Sequence, residues 1–92
     1  MNINEAINHP KATIVDVRSK EEFASGHVEG AINIPLNEVP RRVAEFDVMS
    51  KPLVLCCLSG GRSGQATQFL RDNGIEDVHN GGGWSQVQIH KM

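Results

Sequence analysis

Apolar residues in this chain gather in short runs set between mixed, helix-spaced stretches. The run ATIVDV, Ala12 to Val17, is β-branched, and LVLCC, Leu53 to Cys57, is continuously apolar. Runs of that length and character read as strands buried on both faces. AINI, Ala31 to Ile34, is a shorter strand closed by Pro35, and EDVHN, Glu76 to Asn80, is a last one before three glycines. Between them lie helical signals. Asn2 to Asn8 reads as a short helix stopped by Pro10. Ser19 with Glu22 three residues on forms a capping box that opens a helix ending at Gly26. Pro40 to Phe46 gives a helical turn or two. Ala66, Phe69 and Leu70 carry helical spacing from Ser63 to Asp72, with Gly74 as a left-handed stop.

Strands alternating with helices predict an α/β fold: a parallel sheet of four to five strands with helices on both faces. In such sheets ligands sit at the carboxyl ends of the strands. The segment Cys57 to Arg62 lies at one such end, between a strand and a helix.

Ninety-two residues make a single domain, 1–92, with one modest core. The net charge of −2 excludes a nucleic-acid surface, and Arg41-Arg42 is a solvated helix face. No stretch approaches the roughly 20 apolar residues of a membrane span. MNINEAINHP lacks the layout of a signal peptide, so the expected compartment is the cytoplasm, or the periplasm where a leader has been removed. A monomer is expected. Two cysteines in the whole chain, and adjacent ones, make no disulfide framework.

Those cysteines precede the stretch LSGGRSGQ. Gly60, Gly61 and Gly64 let the backbone curl and turn its N–H groups inward. The helix that follows adds its positive end, and Arg62 adds a full charge. A thiolate at the mouth of such a nest is stabilised, and an incoming anion is held by the same donors. Thiolate and anion cradle together equip a nucleophilic catalyst. Two registers are open. From Cys57 the loop to Arg62 has six residues; from Cys56 it has seven, the Cys-x5-Arg count of cysteine-dependent phosphatases and arsenate reductases. In that second register the glycines sit one place late, Leu55 stands where tyrosine phosphatases carry His, and only Asp47 or Asp72 offers a general acid.

CLSGGRSGQA, together with DVR at 16–18, GHVEGAINIPL at 26–36 and NGGGW at 80–84, resembles the rhodanese-like sulfurtransferases, and among them the small single-domain phage-shock-protein-E type. The likeness runs from about residue 12 to residue 84, in the family's order. It implies that Cys57 is the catalytic residue of a six-residue loop. Cys57 would take a sulfane sulfur from a donor such as thiosulfate, hold it as a persulfide, and pass it to a thiol or cyanide, or to a protein acceptor. Backbone N–H groups of Leu58, Ser59, Gly60, Gly61, Arg62 and Ser63 would hold the persulfide anion, an oxyanion-hole arrangement for sulfur. Arg62 would bind the donor or brace the loop. Cys56 is then the last strand residue before it, directed to the other side of the sheet. Many members carry a cation directly after the cysteine; here Leu58 stands there, which leaves room for a bulkier persulfide or polysulfide donor. An edge strand that members often have ahead of the first helix is expected to be absent. Members without the cysteine act as binding or regulatory modules, and a sulfur-relay role is a further alternative.

Arg18 is expected to add positive potential at the pocket or to brace neighbouring loops, and Asp16 to hold those loops. His27 reads as a structural turn residue bonded to backbone. His9, His79 and His90 share no ligand spacing, so no metal or other cofactor is expected. Trp84 reads as an aromatic cover for the core.

Overall fold

A computed structural model describes residues 1–92. Four strands, β1 Thr13–Asp16, β2 Ile32–Asn33, β3 Leu53–Cys57 and β4 Val78–Gly83, form an all-parallel sheet in the order β2-β1-β3-β4. The helices are α1 Ile3–Asn8, α2 Lys20–Ala24, α3 Val43–Val48, α4 Gly61–Asp72 and α5 Trp84–His90, with a 3-10 helix at Leu36–Arg42. This is the α/β sandwich that the alternation of runs predicts.

Period-2 alternation in the central strands feeds two cores. Val15 and Val17 join Leu53, Leu55 and Cys57 on one face, under Phe46 of α3 and Ala66 and Leu70 of α4. On the other face Ile14, Val54 and Cys56 meet Ala6 and Ile7 of α1 and Val87 of α5. Leu53, Leu55, Leu70 and Phe46 are wholly buried. Each such side chain stabilises the fold by about 1.5–3 kcal/mol relative to exposure. Truncating Leu55 to Ala at the centre would therefore cost about 2–5 kcal/mol.

The short helices depend on their caps. Asn2 caps α1 and Ser19 caps α2, each with a reciprocal Glu three residues later: Glu5 in the first, Glu22 in the second. Each box satisfies two N–H groups that a helix start leaves orphaned.

Three local expectations change. α4 starts at Gly61, two residues before the expected start at Ser63. β4 starts at Val78 and continues through the glycines to Gly83, because the register shift between Leu55 and Cys56 absorbs Gly81 as an extra residue. Glycines carry no alternating side chains, so nothing in the pattern announces that strand. Helix α5 follows it directly, and Val87 is its only buried residue, too sparse a signal to predict it.

Candidate active site

β3 is flanked on both sides, by β1 and β4, and its carboxyl end delivers the two cysteines. The pleat sends them to opposite faces. Cys56 points into the core made with Ile14, Val28 and Val87. There burial pushes its thiol up to about 12, with the carboxylate of Asp16 adding to the rise. Cys57 points to the face of α4 and into the loop that leads there.

That loop turns on Gly60, whose φ of +102° is left-handed and disfavours any side chain. Gly60 is the N-cap of α4, yet no side chain of the helix's own cap accepts a hydrogen bond there. The sulfur of Cys57 does so instead. It accepts from the N–H of Gly60 at 3.0 Å and from the N–H of Ser63, the third helical residue, at 3.4 Å. A cap side chain usually fills this role, so the nucleophile sits where helix starts concentrate free donors and positive potential. The Ser63 hydroxyl lies 3.4 Å from the same sulfur. Burial alone would raise this thiol. The Ser63 hydroxyl and the N–H groups of Ser63, Gly60 and Ser59 outweigh it and hold Cys57 below its ordinary value.

Arg62 turns away from the loop to α2, where its Nη1 and Nη2 bond Glu22 Oε1 and Oε2 at 2.7 and 3.0 Å. That fork, helped by the cap bond from the Ser19 N–H, holds the Glu22 carboxyl down to about 2. Leu58 lies exposed directly after the cysteine. Beside the loop an open groove of 760 Å³ is floored by Val17, Leu36, Val39, Ala66 and Phe69, with Arg62 on its wall.

Arg18 is elsewhere. Its guanidinium is 3% exposed, bonded to Asp16 at 2.7–3.0 Å and to the Gly26 carbonyl at 2.6 Å, and lies 5.0 Å from the Trp84 ring centre. The expected contribution to the pocket gives way to the bracing role, because a buried guanidinium needs its counter-charge close by. His27 bonds the Phe23 carbonyl at 2.7 Å and stacks on the Phe23 ring, a turn residue as its setting in the sequence suggests.

Residues 2–90 match the family model described as the rhodanese-like domain. The chain belongs to the rhodanese-like family. This rhodanese-like domain is 39% identical over 79 residues to the thiosulfate sulfurtransferase PspE of Escherichia coli, across 85% of this chain and 76% of that protein. It is 44% identical over 70 residues to the protein YqhL of Bacillus subtilis, across 76% of this chain and 55% of YqhL. Its fold superposes on a rhodanese from Escherichia coli solved with anions, at a TM-score of 0.72 and 37% identity, covering 82% of this chain and 89% of that one. Family membership and the relatives named as sulfurtransferases support sulfur-transfer chemistry in this domain, whose two thiols are Cys56 and Cys57.

Two parts of the rhodanese-like site escape a reading of the loop alone. Gly83 of β4 passes so close that a Cβ there would stand 2.8 Å from the Leu58 carbonyl oxygen. Asn80 of β4 reaches the loop from the side: its Oδ1 takes the Ser63 hydroxyl at 2.6 Å and the Gly82 N–H at 3.0 Å, and its Nδ2 donates to the Gly60 carbonyl at 3.1 Å. Asn80 stands 23 residues beyond Cys57, and the polar residue heading NGGGW is the only mark it leaves in the sequence.

Proposed function

We propose that this domain transfers a sulfane sulfur from thiosulfate or a persulfide through a Cys57 persulfide to a thiol or cyanide. One observation carries the reading: the Cys57 sulfur occupies the cap position of α4 and accepts N–H groups of its own loop. In the first half-reaction the Cys57 thiolate attacks the outer sulfur of thiosulfate. The Sγ–S bond forms, the S–S bond of the donor breaks, and sulfite leaves with the electron pair. With a persulfide donor, a thiolate leaves instead. In the second half-reaction the acceptor attacks the terminal sulfur and Cys57 returns as thiolate. The loop N–H groups that bond the Cys57 sulfur, together with their neighbours in the same turn, would offset the negative charge of the persulfide. Double-displacement kinetics follow from the covalent intermediate. A protein thiol fits as acceptor, since Leu58 is exposed directly after the cysteine and an apolar groove opens beside Arg62.

The seven-residue register would need Cys56 as nucleophile, and its sulfur is buried against α1 and α5 with its thiol pushed up to about 12. That geometry supports the six-residue register. Intact mass and peptide mapping after brief exposure to thiosulfate, or to an organic persulfide, test it. One extra sulfur on Cys57, removable by cyanide and absent in Cys57→Ser, is expected. Sulfur retained on Cys56, or phosphate-ester hydrolysis that depends on Cys56, would overturn it.

A further inference from the structure

The Ser63 hydroxyl has one proton and two acceptors within reach, Asn80 Oδ1 at 2.6 Å and Cys57 Sγ at 3.4 Å. The orientation of Asn80 decides which acceptor receives it. Its amide stands between two backbone groups of fixed polarity: the Gly60 carbonyl, which only accepts, and the Gly82 N–H, which only donates. Nδ2 must therefore face Gly60, and Oδ1 must face Gly82 and Ser63. Oδ1 has no proton to give, so the 2.6 Å contact requires the hydroxyl to point at Asn80.

We propose that Asn80 is a positioning residue for sulfur transfer, which holds the Ser63 hydroxyl proton away from Cys57 until the cysteine ionises. The proposal rests on Cys57 as nucleophile. With the proton on the Asn80 side, the Ser63 oxygen offers the sulfur only a lone pair, which favours the S–H form. When the S–H proton leaves to solvent, the hydroxyl rotates and donates to the thiolate. No covalent bond to the oxygen changes. Asn80 Oδ1 keeps the Gly82 N–H throughout, so the rotation strands no acceptor.

The titratable neighbours are few. Arg62 approaches from α4 and is clasped by Glu22 of α2, Cys56 precedes on β3, and Asp16 with Arg18 closes β1. β4 brings no titratable side chain between Asn80 and Gly83. The Arg62 fork holds Glu22 down to about 2, and burial pushes Cys56 up to about 12. Neither changes charge near neutral pH, and His79, the titratable side chain next to Asn80 on β4, is bonded to Asp77 at 2.8 Å.

The test is the pH dependence of Cys57 alkylation by iodoacetamide in wild type, Asn80→Ala, Asn80→Asp, Ser63→Ala and the Asn80→Ala/Ser63→Ala pair. Asn80 is solvent-exposed, so its substitutions leave the cores intact, and Ser63→Ala removes only a hydroxyl from a buried position. Asn80→Ala frees the hydroxyl and is expected to speed alkylation at neutral pH by about threefold, the scale of one partly offset hydrogen bond to a charged group. Asn80→Asp keeps an acceptor and adds a charge, so it slows alkylation. In the Ser63→Ala background, Asn80→Ala changes nothing further. A purely structural brace predicts slower alkylation in both Asn80 variants, and that result would overturn the proposal. So would an Asn80→Ala effect that persists without the Ser63 hydroxyl. Alkylation confined to Cys56 would instead remove the nucleophile assignment beneath it.

Discussion

Glu22 and Arg62 meet fork to fork, 2.7 and 3.0 Å apart, and tie the first turn of α2 to the first turn of α4. The same Glu22 Oε1 also caps α2 through the Ser19 N–H at 3.1 Å. One carboxylate thus fixes a helix start and the arginine of the active loop together.

Its pH behaviour follows from the sign of the shift. A carboxyl lowered from 4.5 to about 2 favours the folded arrangement fully above its unfolded value, and that contribution fades as pH falls toward about 2. Between pH 5 and 8 the clasp does not titrate. Glu22→Gln is therefore expected to lower sulfur-transfer kcat/KM by the same factor across that window, on the order of tenfold for a mispositioned loop. Steady-state assays at three pH values check it, and a factor that vanishes at one end would contradict it.

The two thiols differ in the opposite sense. Cys57 lies below 9.0 and Cys56 is pushed up to about 12. Sulfur uptake is expected to plateau at a pH below that of an ordinary thiol and to decline as pH falls through the Cys57 value. Timed iodoacetamide labelling with peptide mapping at pH 8 should find adduct on Cys57 alone. Equal labelling of Cys56 in folded protein would count against this assignment.

Asp16 and Arg18 form a buried pair, 0% and 3% exposed. Arg18→Met strands the carboxylate, and Asp16→Asn strands the guanidinium. Each is expected to cost about 3–5 kcal/mol, read from urea denaturation midpoints. A change within 1 kcal/mol of zero (well under that about 3–5 kcal/mol range) would remove the pair from the scaffold.

Gly83→Ala brings a methyl to 2.8 Å from the Leu58 carbonyl oxygen. Backbone must shift on one side or the other, and the loop is the side with less support. Sulfur-transfer activity is expected to fall by about tenfold or more, with a stability loss of about 1–3 kcal/mol from overpacking. Parallel activity and denaturation measurements separate the two effects.

Much of the fold was legible because the runs that build the sheet are short and unbroken. LVLCC is β3 residue for residue, and the Ser19–Glu22 box marks the start of α2. The loop chemistry was legible for the same reason: glycines, a cysteine and an arginine sit together in one stretch. What stayed hidden depends on contacts across the sheet. β4 runs through glycines that carry no pattern, and its register shift brings Gly82 opposite Cys56. Arg18 reads equally as a pocket residue in the sequence, and only its contacts with Asp16, Gly26 and Trp84 make it a brace. Asn80 reaches the loop only after the chain has crossed through α4.

The glycine ribbon of β4 also bears on how such a site can be moved. Residues 57–63 form a contiguous piece, and grafting them onto another α/β scaffold would carry over the turn, the charge and the nucleophile. The graft would leave behind the bare backbone at Gly83 on which the Leu58 carbonyl rests, and the amide of Asn80 that holds the Gly60 carbonyl. The portable unit is the loop together with residues 80–83, two segments far apart in sequence that only a parallel pairing with one extra residue sets side by side.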